Sequence, residues 1–243
     1  MLTRLVRNVF LLQNLASWVV TRVPPPIHHN LSKLVAIRKA FAYTELEKVG
    51  GDYIEFGVYQ GNSLIAAINA HRFQSGFYNE RTPCRFIGCD SFEGLVPNAS
   101  IDGEHPNYDD RWFLATSYER VMRRIDRYRR HAEIHIVKGY FKDTLPSDPF
   151  RRIGVTHLRI ALFDCDLKSS TTDALSHSAP FWQPGMILIF DDYYSYKGNE
   201  SAGERGAFVE FCAANPGFQF RDFGDYGFNG HMKIVTAIPA AQI

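Results

Sequence analysis

From Tyr53 onward, short apolar runs alternate with helix-like stretches, and five of the runs lead into a glycine or an aspartate: Gly57, Asp90, Gly139, Asp164 and Asp191. Tyr53–Val58, Arg85–Cys89, Glu133–Val137, Leu158–Phe163 and Met186–Phe190 read as strands, followed later by Phe218–Phe223 and Lys233–Ile238. Asn62–Arg72, Phe113–His131, Thr171–Trp182 and Ala202–Ala214 read as the helices between them. Strands that alternate with helices build β-α-β units, hence an α/β fold with a parallel sheet covered on both faces. Met186–Phe190 has no polar interruption, as expected of a parallel strand buried on both sides. A chain of 243 residues suits one such domain.

Composition narrows the function. A net charge of +1 argues against a nucleic-acid binder, so no nucleic-acid partner is expected. Arg120, Arg123, Arg124, Arg127, Arg129 and Arg130 then read as the solvated face of a helix whose apolar side carries Val121, Met122, Ile125 and Tyr128. Cys84, Cys89, Cys165 and Cys212 show no metal spacing and read as reduced thiols of a cytoplasmic protein.

The N-terminal stretch Leu5–Val23 is apolar-rich, yet its uncharged part, Asn8–Thr21, falls short of the ~20 apolar residues a spanning helix needs. No small-residue cleavage site follows, which argues against a signal peptide. The expectation is a helix docked on its own core. Contact with a membrane surface or a partner subunit is the less favoured alternative. Pro24, Pro25 and Pro26 are expected to stop it. The chain divides into a helical extension, residues 1–32, and a main domain, residues 33–243. The polar segment Val96–Arg111 reads as a lid.

Three groups of residues carry chemistry. Glu55-Phe-Gly57-Val-Tyr59-Gln-Gly61-Asn-Ser63 ends the first strand and opens the first helix. Its glycines allow a sharp turn and close approach to a ligand, and the helix start favours a negative group. The spacing is not that of a dinucleotide loop. Asp90, at the end of the second strand and followed by Ser91 and Phe92, suits hydrogen bonding to ribose hydroxyls. Asp164 and Asp191-Asp192 close two strands expected to be neighbours. Carboxylates gathered there repel unless a cation answers them, and a hard divalent ion such as Mg²⁺ does so with oxygen ligands. Asp166 and Ser169 read as caps of the following helix.

In order, Tyr53–Ser63, Asp90-Ser-Phe-Glu-Gly-Leu95, Gly139-Tyr-Phe-Lys-Asp-Thr-Leu-Pro146, Asp164-Cys-Asp-Leu-Lys-Ser-Ser-Thr171 and Asp191-Asp-Tyr193 resemble the macrocin O-methyltransferase (TylF-type) family, over about Lys33 to Val235. The resemblance implies a Rossmann-like class I methyltransferase fold with a seven-stranded, mostly parallel sheet and helices on both faces. It implies S-adenosylmethionine as cofactor, Mg²⁺ as metal, and a sugar hydroxyl as acceptor. By motif position, Glu55, Gly57, Tyr59, Gly61 and Ser63 would surround the methionine part of the cofactor. Asp90, Ser91 and Phe92 would hold the ribose, and Gly139 and Phe141 would lie near the adenine. Asp164, Asp191 and Asp192 would be the metal ligands, with Asp164 also at the cofactor and the candidate general base. The family usually has Gly and Tyr where this chain has Cys165 and Lys168. A homo-oligomer is expected. His177 and His231 carry little weight as further bases. Competing readings are a catechol-type methyltransferase, a glycosyltransferase using Asp164-Cys-Asp166 as a D-x-D motif, and a scaffold that keeps the fold without the chemistry. Retention of the full carboxylate set argues against the scaffold.

Overall fold

The computed structural model describes residues 2–77, 82–95, 99–102 and 115–240. Seven strands form one sheet: β1 Asp52–Phe56, β2 Arg85–Asp90, β3 Glu133–Lys138, β4 Leu158–Phe163, β5 Ile187–Phe190, β6 Gln219–Tyr226 and β7 Gly230–Ala237. Their order is β3-β2-β1-β4-β5-β7-β6. The first five are parallel, and β7 runs antiparallel to both β5 and β6. This is the expected α/β arrangement, with strand ends shifted by a few residues.

The helices are α1 Leu2–Val20, α2 Pro25–Leu46, α3 Asn62–Phe77, α4 Ala99–Asp102, α5 Tyr118–Ile125, α6 Phe141–Thr144, α7 Pro149–Ile153, α8 Lys168–Ser178 and α9 Gly203–Ala214. β4 and β5 are buried along their whole length, which explains why their sequences lack the polar alternation of a one-sided strand. Successive side chains feed two cores. Ile37 and Phe41 of α2, Leu64 and Ile68 of α3 and Ile125 of α5 pack against Tyr53, Ile160 and Ile187 on one face. Leu175 of α8, Trp182, and Phe208 and Phe211 of α9 pack against Ile54, Phe163 and Phe190 on the other.

Several expectations are corrected. The helix expected over Phe113–His131 is α-helical only from Tyr118 to Ile125, followed by a 3-10 turn, Asp126–Tyr128; residues 113 and 114 lie outside the described residues. Of the expected lid, residues 96–98 and 103–111 also lie outside them. Its described part is α4, whose buried Asp102 accepts hydrogen bonds from Ser169 N (2.7 Å) and Oγ (2.8 Å). The start of α8 is therefore held by an acid from α4, and Leu167, not Asp166 or Ser169, occupies the cap position. The largest correction is at the N-terminus. Among the described side chains of α1, every one from Phe10 to Val20 is exposed and not docked on the core. The sheet face is taken by α2, which sequence reading passed over. The prolines end one helix and open the next, because Pro at the first helical position has no N–H to leave unpaired. The boundary expected at 32/33 falls inside α2.

Candidate functional site

One row of main-chain hydrogen bonds lines up the candidate residues at the carboxyl ends of the parallel strands. Gly57 N donates to Cys89 O (2.9 Å), Gly139 N to Asp90 O (2.9 Å), Asp164 N to Phe56 O (2.8 Å) and Asp191 N to Phe163 O (2.9 Å). The sheet ladder thus continues one residue past β1, β3, β4 and β5. This is the edge where open α/β sheets bind ligands.

On the β1–β2 side, Gly57 has φ +100°, and a Cβ there would stand 1.8 Å from the carbonyl oxygen of Asp164. Only glycine lets this loop run against the aspartate. Glu55 is buried, and its carboxyl accepts from Tyr53 Oη (2.8 Å) and from Ser63 Oγ of α3 (3.2 Å). Burial pushes its pKa up to about 8, with the Asp164 charge adding to the rise against the two hydroxyl hydrogen bonds. Asp90 Oδ2 accepts from Val58 N and Tyr59 N (2.7 Å each), and Oδ1 from Phe92 N (2.7 Å). Its carboxylate clamps the glycine loop and keeps about one acceptor position for a further donor. Tyr59 and Phe92 both hold left-handed backbone (φ 48° and 60°), strain of the kind that gathers at ligand clamps. Ser91 ties the following turn through Gly94 O, and Phe92 is buried against Tyr118. Gly61 lies against Ile125 of α5, and Phe141 packs edge-on against Phe56.

Past β4 and β5, Asp164, Asp191 and Asp192 each offer an oxygen within 4.8 Å of the others. Three hard oxygen donors at that separation fit a divalent cation. A residue the sequence reading missed stands among them. Lys33 Nζ, from α2, lies 2.6 Å from Asp164 Oδ2 and 2.7 Å from Asp191 Oδ2. Burial pulls the lysine pKa down, but the charges of Asp164 and Asp191 outweigh it and hold the ammonium charged. One turn earlier, His29 Nε2 lies 3.0 Å from Asp191 Oδ1, while Phe228 N donates to its Nδ1 (3.1 Å). The neutral ring with its proton on Nε2 satisfies both contacts. Tyr226 Oη, buried, donates to the same Asp191 oxygen (2.8 Å). The Lys33 charge and the His29 hydrogen bond hold the Asp191 carboxyl well below the usual range despite its burial.

Asp164 goes the other way: burial and the neighbouring carboxylates push it up to about 7 against the Lys33 charge. Asp166, in left-handed backbone (φ 58°), turns to hydrogen-bond Asp192, and burial with that neighbour raises its pKa well above normal. Glu204 of α9 is fully buried and accepts from Asp192 N (2.9 Å), while its Oε1 has no hydrogen-bond partner among the described residues. Burial and the nearby aspartates push its carboxyl well above the usual carboxylate range. His231 is locked between Asp225 (2.6 Å) and Asp222 (3.0 Å), and His177 bonds within its own helix turn, to Asp173 O.

Residues 29–207 match the model of the macrocin-O-methyltransferase (TylF) family. The chain belongs to the macrocin-O-methyltransferase (TylF) family. Among the relatives is an 8-demethyl-8-(2,3-dimethoxy-alpha-L-rhamnosyl)-tetracenomycin-C 4'-O-methyltransferase of Streptomyces olivaceus, 35% identical over 60% of this chain and 54% of its own length. Another is a mycinamicin III 3''-O-methyltransferase of Micromonospora griseorubida, 32% identical over 60% of this chain and 56% of its own length. The matched part thus spans little more than half of each relative. The solved structure of the O-methyltransferase NovP superposes with a TM-score of 0.63 at 26% identity, covering 84% of this chain and 80% of that one. The calicheamicin methyltransferase CalS11 shares the fold, with a TM-score of 0.61 at 18% identity over 90% of this chain and 89% of that one. The fold is that of class I S-adenosylmethionine-dependent methyltransferases.

The TylF match begins at His29, so His29 and Lys33 fall within it and Tyr226 beyond it. The two departures from the family pattern have structural uses. Cys165 is buried beside Thr171 Oγ1 (3.4 Å). Lys168 donates to Ser201 O (3.1 Å) and Glu210 Oε1 (2.6 Å), joining α8 to α9. A signal for α2 was available: Lys33, Ala36, Ile37, Ala40, Phe41 and Thr44 recur at three- and four-residue steps. Four of those six residues are small or polar, which hides the stripe from a search for large apolar residues.

Proposed function

We propose that this TylF-family chain transfers a methyl group from S-adenosylmethionine to a hydroxyl of a sugar-bearing small molecule. The observation that carries the reading is the single row at the strand ends. It sets the Asp90-clamped glycine loop against Asp164, and Asp164 beside Asp191 and Asp192. The names of the relatives, a methyltransferase of a rhamnosyl-tetracenomycin and one of mycinamicin III, support the acceptor class.

In this reading Glu55, Gly57, Tyr59, Gly61 and Ser63 surround the methionine part of the cofactor. Asp90 offers its remaining acceptor position to the ribose while Ser91 and Phe92 shape the turn beside it, and Gly139 and Phe141 border the adenine. Asp164, Asp191 and Asp192 would hold Mg²⁺, which lowers the pKa of a hydroxyl bound to it. Alignment of donor and acceptor is the larger contribution, worth about 7–11 kcal/mol in well-ordered systems. Asp164, which stands against Gly57 of the glycine loop, suits the role of proton acceptor. Lys33 holds Asp164 and Asp191 together and supplies part of the positive charge they need.

Calorimetric titration with S-adenosylhomocysteine, with Mg²⁺ and then with EDTA, tests the cofactor half. Micromolar binding in both conditions is expected, since the metal belongs to the acceptor side; no binding by folded protein refutes the reading. Asp164→Asn and Asp191→Asn are expected to lose at least a hundredfold in methyl transfer to sugar-bearing acceptors while still binding S-adenosylhomocysteine. Wild-type turnover in either variant removes the carboxylate cluster from the chemistry.

A further inference from the structure

α1 is amphipathic, yet among the described residues its apolar side chains are left exposed. Phe10, Leu11, Leu12, Leu15, Trp18, Val19 and Val20 are between 47% and 66% exposed. On α2, Ile27, Leu31 and Val35, one helical turn apart, are also exposed, opposite the face that delivers His29 and Lys33. Large apolar side chains left exposed together on one helix mark a place where something docks.

Charge says what docks. Residues 1–44 contain Arg4, Arg7, Arg22, Lys33, Arg38 and Lys39 and no aspartate or glutamate; the first acid is Glu45. The whole chain carries only +1, so the positive charge is concentrated at this end. On α1 itself, Arg4 and Arg7 fall in the first two turns, and Arg22 follows the last, with its guanidinium 4.3 Å over the Trp18 ring. Pairing α1 with the same helix of a second copy would set arginine against arginine in either direction, with no acid to answer it. An anionic surface answers all three. No helix among the described residues is long and apolar enough to cross a membrane. A helix with an apolar face, basic ends and an aromatic beside a terminal arginine is suited to lie in the plane of a bilayer.

We propose that α1 is a membrane-surface helix that docks this protein on anionic lipid. The apolar face, with Leu12 and Val19 near its middle, enters the boundary between headgroups and acyl chains. The arginines meet the anionic headgroups. The short turn at residues 21–24 then joins the docked helix directly to α2, the helix that carries Lys33 into the carboxylate cluster.

The test is co-sedimentation of the full chain with vesicles of pure phosphatidylcholine and of phosphatidylcholine containing about one third phosphatidylserine, at low and high salt. Binding to the anionic vesicles is expected to be at least tenfold tighter than to the neutral ones and to weaken at high salt, because exposed charges are screened. A Leu12→Glu/Val19→Glu variant is expected to lose vesicle binding while keeping its thermal midpoint, since both side chains are exposed and support no core. Equal binding to both vesicles, or binding to neither, overturns the proposal. So does a dimer in sedimentation without lipid that the double variant converts to monomer without loss of vesicle binding, or in place of it.

Discussion

Lys33 answers two carboxylates at once, and its removal should be felt as uncompensated negative charge. Breaking a buried ion pair by deleting one partner typically costs about 3–5 kcal/mol, because the remaining charge stays desolvated. Lys33 touches Asp164 and Asp191 at 2.6 and 2.7 Å with little exposure on either side. Lys33→Met keeps the stem and removes the charge. In EDTA this variant is expected to unfold at a lower denaturant concentration than the wild type, by about 3 kcal/mol. Mg²⁺ should restore much of the loss, because the same oxygens are the candidate ligands. The check is chemical denaturation with and without Mg²⁺. A variant that is equally destabilised in both conditions would show that the cluster does not bind the ion.

At the scale of elements, the sheet was readable and the helices flanking the site less so. Leu158–Phe163 could be bounded from sequence because every residue of β4 is buried and the run ends at the aspartate that leaves the sheet. α2 was missed because three consecutive prolines read as a stop, although the second of them opens a helix. Missing α2 meant missing Lys33 and His29, so the carboxylates looked unanswered. Asp164, Asp191 and Asp192 were legible as a group because strand ends converge in a parallel sheet; their protein partners come from α2 and β6, far away in sequence, and only the fold brings them in. The start of α8 tells the same story: its cap is Asp102, on α4, not a local residue. Loss of a capping group costs about 1 kcal/mol. Asp102→Ala should lower stability by about that amount, and adding Ser169→Ala should cost little more, because the two residues serve one interaction. A double-mutant cycle in urea measures this. Fully additive losses would mean that Asp102 stabilises the fold by some other route.

The fold as a whole carries an acid that is held neutral. Glu55 sits at the centre of the sheet, on β1, with its pKa raised to about 8 by burial. In the unfolded chain it titrates near 4.5. Between those values the native state binds a proton that the unfolded state does not. Stability from this group is therefore complete below about pH 4.5 and falls as pH rises, until the native carboxyl has itself ionised above about pH 8. The full effect of a rise from 4.5 to about 8 is on the order of 5 kcal/mol. Glu55→Gln cannot ionise and keeps an acceptor for Tyr53 or Ser63. The difference in unfolding free energy between variant and wild type should thus move in favour of the variant from pH 5 to pH 9 and level off above that. Denaturation series at pH 5, 7 and 9 give the slope. A cationic amine bound beside Glu55, as the methionine part of the proposed cofactor would supply, favours the ionised carboxyl, so S-adenosylhomocysteine should release a proton on binding near pH 7. Calorimetry in two buffers of different ionisation enthalpy reads that proton directly, and it should disappear in Glu55→Gln. A pH-independent difference between variant and wild type would mean that Glu55 is ionised in the native state, with its charge met by Lys33 and the hydroxyls of Tyr53 and Ser63.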